Sequence, residues 1–555
     1  MTAAPLHGIG VGRGSAAGPV ARAAPPPVLP PARPVTDPAA ESAAVRAALA
    51  AVAADLEARA ARAGGAAADV LTAQAMIAAD PALADRATGL VAAGTDGPHA
   101  VTAAYQGFRE ALLAAGGYFA ERAADLDDLR DRAVARLLGL PMPGLPDPGH
   151  PYVLVADDLA PADTAELDPA RVLALVTVRG GPTSHTAILA KALGLPAVVG
   201  CPGAAGLRDG RTVLVLAADG AVHPDPAPEA VRHAAERQRA RREAAAHSSG
   251  PGRTADGHPV ALLVNLGAAH ELTAAAAADS EGVGLFRTEF LYLDRAEAPG
   301  AAEQTAAYRA VFEAFAGRRV TVRTLDAGAD KPLPFATAAD EENPALGVRG
   351  LRTAARDPQL LETQLAAIAA AARGSGADVR VMAPMVSLPA EAAAFAGRVR
   401  AHGLALAGAM VEVPAAALRA DRLAEVCDFL SIGTNDLAQY AFAADRTLGA
   451  LAELLDPWQP ALLDLVAATA GGAAAHGVPV GVCGEAAADP DLALVLVGLG
   501  VTGLSAAPSC LPEVRAALAG HTLADCRHLA GLARSAPDAA TARERVRGSL
   551  RTAEG

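Results

Sequence analysis

LAGAMVEVPAAALRADRLAEVCDFLSIGTNDL, residues 406–437, holds two runs of small and branched apolar residues, each closing on polar ones. Leu406–Val413 ends in Glu412, and Asp428–Leu437 ends in Asn435 and Asp436, with an Ala-rich helical stretch between them. Near-continuous apolar runs of this length are what a parallel strand shows when both of its faces are covered. The pattern recurs outward along the chain at Pro259–Gly267, Gly282–Phe290, Arg319–Gly328, Val379–Val386, Val478–Glu485 and Val501–Ala507. Eight such units within about 290 residues predict a (β/α)8 barrel. In that fold the polar strand ends meet at one face: Arg287 and Glu289, Arg323 and Asp326, Glu412, Asn435 and Asp436, Cys483 and Glu485. Charged groups closing apolar strands are costly unless they serve one another or a ligand.

Upstream the chain changes character. Residues 6–22 have the Gly density of a turn-rich opening strand, and a Pro cluster follows at 25–34. Segments 40–63, 69–93, 99–115 and 117–138 carry apolar residues at three- and four-residue spacing and are read as four uninterrupted helices in a hairpin array. From 152 to 225, short β-type runs (YVLVADD, VLALVTV, PAVVG, TVLVLAADG) alternate with a helix as a small α/β module. Residues 227–247 are charged on most faces and read as an exposed connecting helix.

Composition limits the function. The 555 residues carry 47 Lys and Arg against 61 Asp and Glu, a net charge of −14, which disfavours nucleic acid as a partner. With 52% apolar and 19% charged residues the chain is not of the disordered class. Five scattered cysteines, without CxxC spacing, fit a reducing compartment and no structural zinc. No secretory signal is apparent, and Gly and Pro break the long uncharged stretches at 465–484 and 492–512. A cytoplasmic protein without direct membrane contact is expected. Only two lysines occur, Lys191 and Lys331, each beside a motif-like segment.

At the barrel mouth, Arg287, Arg323, Arg446, Lys331 and Asn435 would form a cationic cup for a small anion bearing phosphate and carboxylate groups. Glu412 and Asp436 among them suit Mg²⁺, which is usually held by one or two carboxylates plus substrate oxygens. Cys483 could give or take a proton there, although a buried Cys is more often inert filler. A second candidate site is GGPTSHTAILAKALG, residues 180–194. Thr183 or Ser184 is placed to cap a helix whose first turn holds His185, where backbone N–H groups favour an anion. A structural His is the plainer reading of that residue alone. Taken with the barrel, it suggests a phosphoryl group received on a mobile His and passed on.

Seven segments in order resemble enzyme I of the bacterial phosphoenolpyruvate-dependent sugar phosphotransferase system. They are GGPTSHTAI (180–188), GVGLFRTEFLYLDR (282–295), RTLDAGADK (323–331), ENPALGVRGLR (342–352), MVEVPAAA (410–417), SIGTNDLAQY (431–440) and VCGEAA (482–487). The stretch at 119–139 adds to a likeness that covers nearly the whole chain. The resemblance implies a multi-domain α/β protein: a phosphohistidine α/β domain with an inserted helical subdomain, then a C-terminal (β/α)8 barrel. It places the phosphohistidine domain at 1–35 and 145–225 and the helical subdomain that docks the phosphocarrier HPr at 36–144. A linker helix follows at 226–253, then a phosphoenolpyruvate-binding and dimerising barrel at 254–540 and a C-terminal tail at 541–555.

It further implies His185 as the phosphorylated residue and Cys483 as the proton donor to the enolpyruvate carbon, which reverses the filler reading. Arg287, Arg323, Arg446, Asn435 and Asp436 would hold phosphoenolpyruvate, Lys331 and Arg349 would support them, and Glu412 and Asp436 would bind Mg²⁺. Pyruvate would be the product, HPr the acceptor and a homodimer the assembly. Departures fall at Thr447-Leu448, at Ala329 and at Leu504–Ala507, and none removes a phosphoryl-handling group. Three other readings compete, one of them a relative serving dihydroxyacetone or nitrogen regulation, which would append extra domains that are not visible here. A dikinase-like relative needs an ATP-binding domain, for which no Gly-rich phosphate loop is present. A non-turnover phosphorylation sensor would have no need of His185, Glu412, Asp436 and Cys483 together. Because the His module must meet both the barrel and the acceptor, hinges are expected near Gly149–Pro151 and Pro224–Pro228.

Overall fold

The computed structural model describes residues 4–553 except 13, 25, 62–65, 116–122, 141–143, 160–162, 164–166, 182–183, 294, 329–332, 338–340 and 447. It divides into two compact units, Met1–Arg239 and Ala240–Gly555.

In the first unit, β1 (Leu6–His7), β2 (Ile9–Val11) and β3 (Ser15–Arg22) open a sheet. The chain completes it, after a long helical excursion, with β4 (Tyr152–Ala156), β5 (Val172–Thr177), β6 (Ala197–Val199), β7 (Thr212–Leu216) and β8 (Ala221–Pro224). The order is β1-β8-β7-β3-β4-β5-β6-β2. The central neighbours β3 to β6 run parallel, and the flanking pairs are antiparallel.

The excursion forms helices Pro38–Ala60, Ala66–Ala78, Pro81–Ala92, Gly97–Ala115 and Ala123–Leu138. The single helix expected over 69–93 is therefore two. Pro81 cannot supply the N–H that a continuous helix needs, so it takes the first helical position instead. Asp80 caps the new helix, its carboxylate accepting from Ala82 N at 2.8 Å. Val45, Leu49, Val52, Leu71, Val101 and Leu129 are among the residues that close the core of the array.

A buried ion cluster ties this array to Asp163, which follows β4 in the chain. Asp163 accepts from Arg132 Nη2 at 2.7 Å and from Arg59 Nη2 at 3.3 Å, and Arg132 Nε also reaches Asp128 at 2.9 Å. Burial pushes the Asp128 carboxyl up, while Arg132 pulls it back. Removing one partner of such a cluster leaves buried charge uncompensated. Asp163→Ala is accordingly expected to destabilise the first unit by about 3 kcal/mol, read as a lowered denaturant midpoint. An unchanged midpoint would show the cluster to be energetically idle.

The second unit is a closed barrel of eight parallel strands: β9 (Ala261–Leu266), β10 (Gly282–Phe286), β11 (Arg319–Arg323), β12 (Asp378–Ala383), β13 (Leu406–Val411), β14 (Phe429–Gly433), β15 (Val480–Cys483) and β16 (Gly503–Ala506). Seven lie within the runs read from the sequence, and β12 begins one residue before its run, at Asp378. β16 pairs with β9 to close the ring. Inside, Leu285, Met382, Met410, Phe429 and Cys483 pack as one cluster. Gly408 admits the Phe429 ring, since a Cβ there would lie 2.5 Å from Phe429 Cζ.

Several strands end earlier than read. Thr434–Phe442 is helical, so Asn435 and Asp436 sit in a first helical turn, and Glu485 opens the short helix Glu485–Ala488. Residues 541–555, expected as a tail, belong largely to a helix, Ala539–Ala553, that buries Ala542 and Val546 in the barrel's core cluster. Arg543 pairs with Asp456 at 2.7 Å and Arg547 with Asp491 at 3.2 Å. Among the described residues, no helix is long and apolar enough to cross a membrane.

Candidate active site

The C-terminal ends of β10, β11, β13, β14 and β15 converge on a cavity of about 410 Å³. Arg287, Arg323, Glu412, Asn435, Asp436, Arg446 and Cys483 all line it, as do Glu289 and Asp326. Arg287 and Asn435 stand exposed at the rim, Arg446 is half-buried, and Arg323, Glu412, Asp436 and Cys483 are buried.

Arg323 is the hub. Its Nη2 meets Glu289 Oε1 at 3.0 Å, and its Nη1 meets Asp326 Oδ2 at 3.2 Å and Glu412 Oε1 at 3.7 Å. Burial works against the charged guanidinium, but these carboxylates outweigh it and push its pKa up. Asp436 is gripped from two sides, by Arg446 Nη1 at 3.0 Å and by Arg349 Nη1 at 3.2 Å.

Arg349 departs from its expected role. It does not line the cavity; it lies behind it, 1% exposed, and bridges Asp436 to Asp326 Oδ2 at 3.1 Å. It thus orients Asp436 rather than offering its own charge to a ligand. Tyr440 OH, which Arg349 also reaches at 3.4 Å, donates to the Ala345 carbonyl and holds that loop to the helix after β14.

Glu412 is the least compensated acid. One of its oxygens accepts from Met385 N at 2.9 Å, and among the described residues the other has only the long contact to Arg323. Burial, then the nearby Asp326 and Asp436 carboxylates, push it up to about 8 with no cation bound. Met385 makes its bond from a left-handed backbone, φ 57°, a conformation costly for a side chain of its kind and of a sort that clusters at working sites. Nothing in the sequence marks a methionine for that conformation. Gly433 leaves the Glu412 carboxylate its space: a Cβ there would fall 2.8 Å from Oε1.

These features fit a hard divalent ion. Two carboxylates face an anion cavity, one of them is under-compensated, and a glycine cradle keeps room beside it. Among the described residues no group of three or more His, Cys, Asp or Glu forms a cage.

Cys483, 4% exposed, accepts from Ser431 Oγ at 3.6 Å and directs its own S–H to the Ile432 carbonyl at 3.5 Å. Burial pushes its pKa above the usual thiol range, so it keeps its proton.

In the first unit, His185 is the first residue of helix His185–Leu193. Ser184 caps that helix, its Oγ accepting from Ala187 N at 3.3 Å, and Thr186 Oγ1 donates to Asp158 Oδ1 at 3.2 Å. Gly180 turns the chain into the helix with φ +94°. Thr183, Ala329, Lys331 and Thr447 lie outside the described residues.

The barrel mouth gathers anion-binding and acidic groups at one cavity, and the family comparisons give the class of enzyme. Residues 241–523 match the PEP-binding domain of the PEP-utilising enzymes, 148–220 their mobile domain and 7–122 their N-terminal domain. The chain is 56% identical over 494 residues to a phosphoenolpyruvate-protein phosphotransferase of Streptomyces coelicolor, covering 89% of each chain. It is 42% identical to one of Haloferax volcanii, covering 85% of this chain and 86% of that one. An NMR solution structure of Enzyme I (nEIt) aligns at 28% identity over 42% of this chain and 98% of its own, with a TM-score of 0.39. The chain belongs to the PEP-utilising enzymes and, within them, to the phosphoenolpyruvate-protein phosphotransferases. It is a transferase that uses phosphoenolpyruvate.

Proposed function

We propose that the protein moves the phosphoryl group of phosphoenolpyruvate to its own His185 and then to the phosphocarrier HPr, the general first step of phosphotransferase-system sugar uptake. The observation that carries the reading is the convergence of Arg287, Arg323, Arg446 and Asn435 with Glu412, Asp436 and Cys483 around one cavity. In this reading the arginines take the phosphate and carboxylate of the substrate in forked hydrogen bonds. A His185 ring nitrogen attacks phosphorus as the bond to the enol oxygen breaks. The enolate of pyruvate leaves, and the Cys483 thiol gives its proton to the methylene carbon. The thiolate then recovers a proton from water. Mg²⁺, held by Glu412 and Asp436, would supply charge stabilisation to the phosphoryl and enolate oxygens.

Helices in 36–144 would dock HPr, and residues 1–35 with 145–225 would carry His185. Lys331 would add a cation to the grip. The barrel would pair two chains as a homodimer, and the protein would work in the cytoplasm.

A chase experiment tests this. Phosphoenolpyruvate labelled in its phosphate, with Mg²⁺, is expected to leave acid-labile label on the protein but not on His185→Ala, and added HPr is expected to drain it. Label that needs His185 but stays there would point to a different acceptor. Absence of label in the parent protein would overturn the reading.

A further inference from the structure

Beneath the mouth runs a line of buried hydrogen bonds that takes no part in the chemistry above. Its centre is Gln364, on helix Pro358–Ala372 and 1% exposed. Gln364 Nε2 donates to Thr288 Oγ1 at 3.1 Å and to Tyr308 OH at 3.0 Å, and its Oε1 accepts from Leu325 N at 3.0 Å. Thr288 in turn donates to the Arg323 carbonyl at 3.0 Å. The line continues outward through Tyr308 and Tyr292, whose hydroxyls donate to Gln304 Oε1 at 3.3 and 2.9 Å.

Two facts point to a purpose at the site. First, the ladder between β10 and β11 slips after Val283 and ends at Phe286 opposite Val322. The β10–β11 ladder thus stops before Arg287 and Arg323 face each other, while each keeps its other neighbour: Arg287 N donates to the Leu266 carbonyl at 2.9 Å, and Arg323 pairs with Met382 of β12. Across that gap side chains take over: Gln364 joins Thr288, next to Arg287, to Leu325 N, two residues past Arg323, and Glu289 Oε1 meets Arg323 Nη2 at 3.0 Å and Asp326 N at 3.1 Å. Second, a buried amide is costly unless both of its ends are satisfied, and an apolar side chain of equal size would fill the same space without that demand. Here both N–H groups and the carbonyl are used.

We infer that Gln364 is a positioning residue for phosphoenolpyruvate, setting the separation of Arg287 and Arg323 by holding the Thr288 hydroxyl beside the first and the Leu325 amide beyond the second. The inference rests on the reading of those two arginines as the substrate grip. Forked recognition of a small anion tolerates little displacement, so loosening the clamp weakens binding before it weakens chemistry.

The test uses exchange of labelled pyruvate into phosphoenolpyruvate, which needs no acceptor protein. Gln364→Met is expected to raise the KM for phosphoenolpyruvate about tenfold with kcat little changed. Thr288→Val is expected to do the same, and the double variant to be no worse than the worse single one, since both act through one linkage. Gln304→Met breaks only the outer part of the line and serves as the stability control, with a lowered Tm and an unchanged KM. Arg323→Lys tests the grip itself. A parental KM in Gln364→Met and Thr288→Val beside a raised KM in Arg323→Lys overturns the inference, as does a KM in Gln304→Met that rises with its loss of Tm. If Gln364→Met fails to fold, Thr288→Val decides. A parental KM in Arg323→Lys overturns the grip reading, and the inference with it.

Discussion

Cys483→Ser is expected to slow conversion of phosphoenolpyruvate to pyruvate about a thousandfold while leaving the fold intact, within the range that a positioned general acid contributes. The substitution is nearly isosteric inside the Leu285, Met382, Met410 and Phe429 cluster. What changes is acidity. A serine hydroxyl holds its proton far more tightly than a thiol and cannot pass it to the enolate before the phosphoryl transfer reverses. The parent enzyme adds a check on pH. As the proposed acid, Cys483 can act only while protonated, and burial raises its pKa. The loss of the protonation step therefore moves to higher pH than the value near 8.5 typical of an exposed thiol. Pyruvate release followed from pH 7 to 9 should hold in the parent and be low throughout in the variant. Turnover in Cys483→Ser within about threefold of the parent would remove the thiol from the mechanism.

The barrel was legible because its strands are covered on both faces and so stand out as apolar runs between Ala-rich helices. Their ends were not. Asn435 and Asp436 extend the β14 run in sequence, yet the chain turns into a helix directly after Gly433, and nothing in residue type separates the two outcomes. The candidate side chains were readable one by one, since Arg and carboxylates at the close of apolar strands are conspicuous. Their pairing was not readable, because partners such as Arg349 and Asp436 are brought together by neighbouring strands and not by spacing along the chain. Arg349 looked like another substrate cation and is instead the bridge between two carboxylates. The split at Pro81 was available in the sequence but masked by the apolar pattern that continues on both sides of it. The helix Ala539–Ala553 is poor in large apolar residues, so its docking through Arg543 and Arg547 left little sequence signal.

Glu412→Gln is expected to separate activity from stability. Activity should fall at least about a hundredfold, because the carboxylate proposed to hold the ion, and the charge stabilisation that comes with it, is gone. Stability of the metal-free protein should move the other way. An unfolded chain releases the Glu proton near pH 4.3, whereas the folded, metal-free site keeps it to about 8. Between those values the folded state binds a proton that the unfolded state has lost, so stability falls as pH rises through the window. Glutamine has no proton to lose. The variant should therefore match the parent closely at pH 4, below the window, and melt several degrees above it at pH 8 in chelator. Adding Mg²⁺ should lift the parent at pH 8, as a ligand that binds only the folded state must, and lift the variant much less. Equal melting temperatures at both pH values with equal gains from Mg²⁺ would free Glu412 from the metal role. The opposite pattern would mean that the site is held under charge strain until its ion arrives. The fold then bears that strain through the Met385 amide and Arg323, the two groups that keep Glu412 in place.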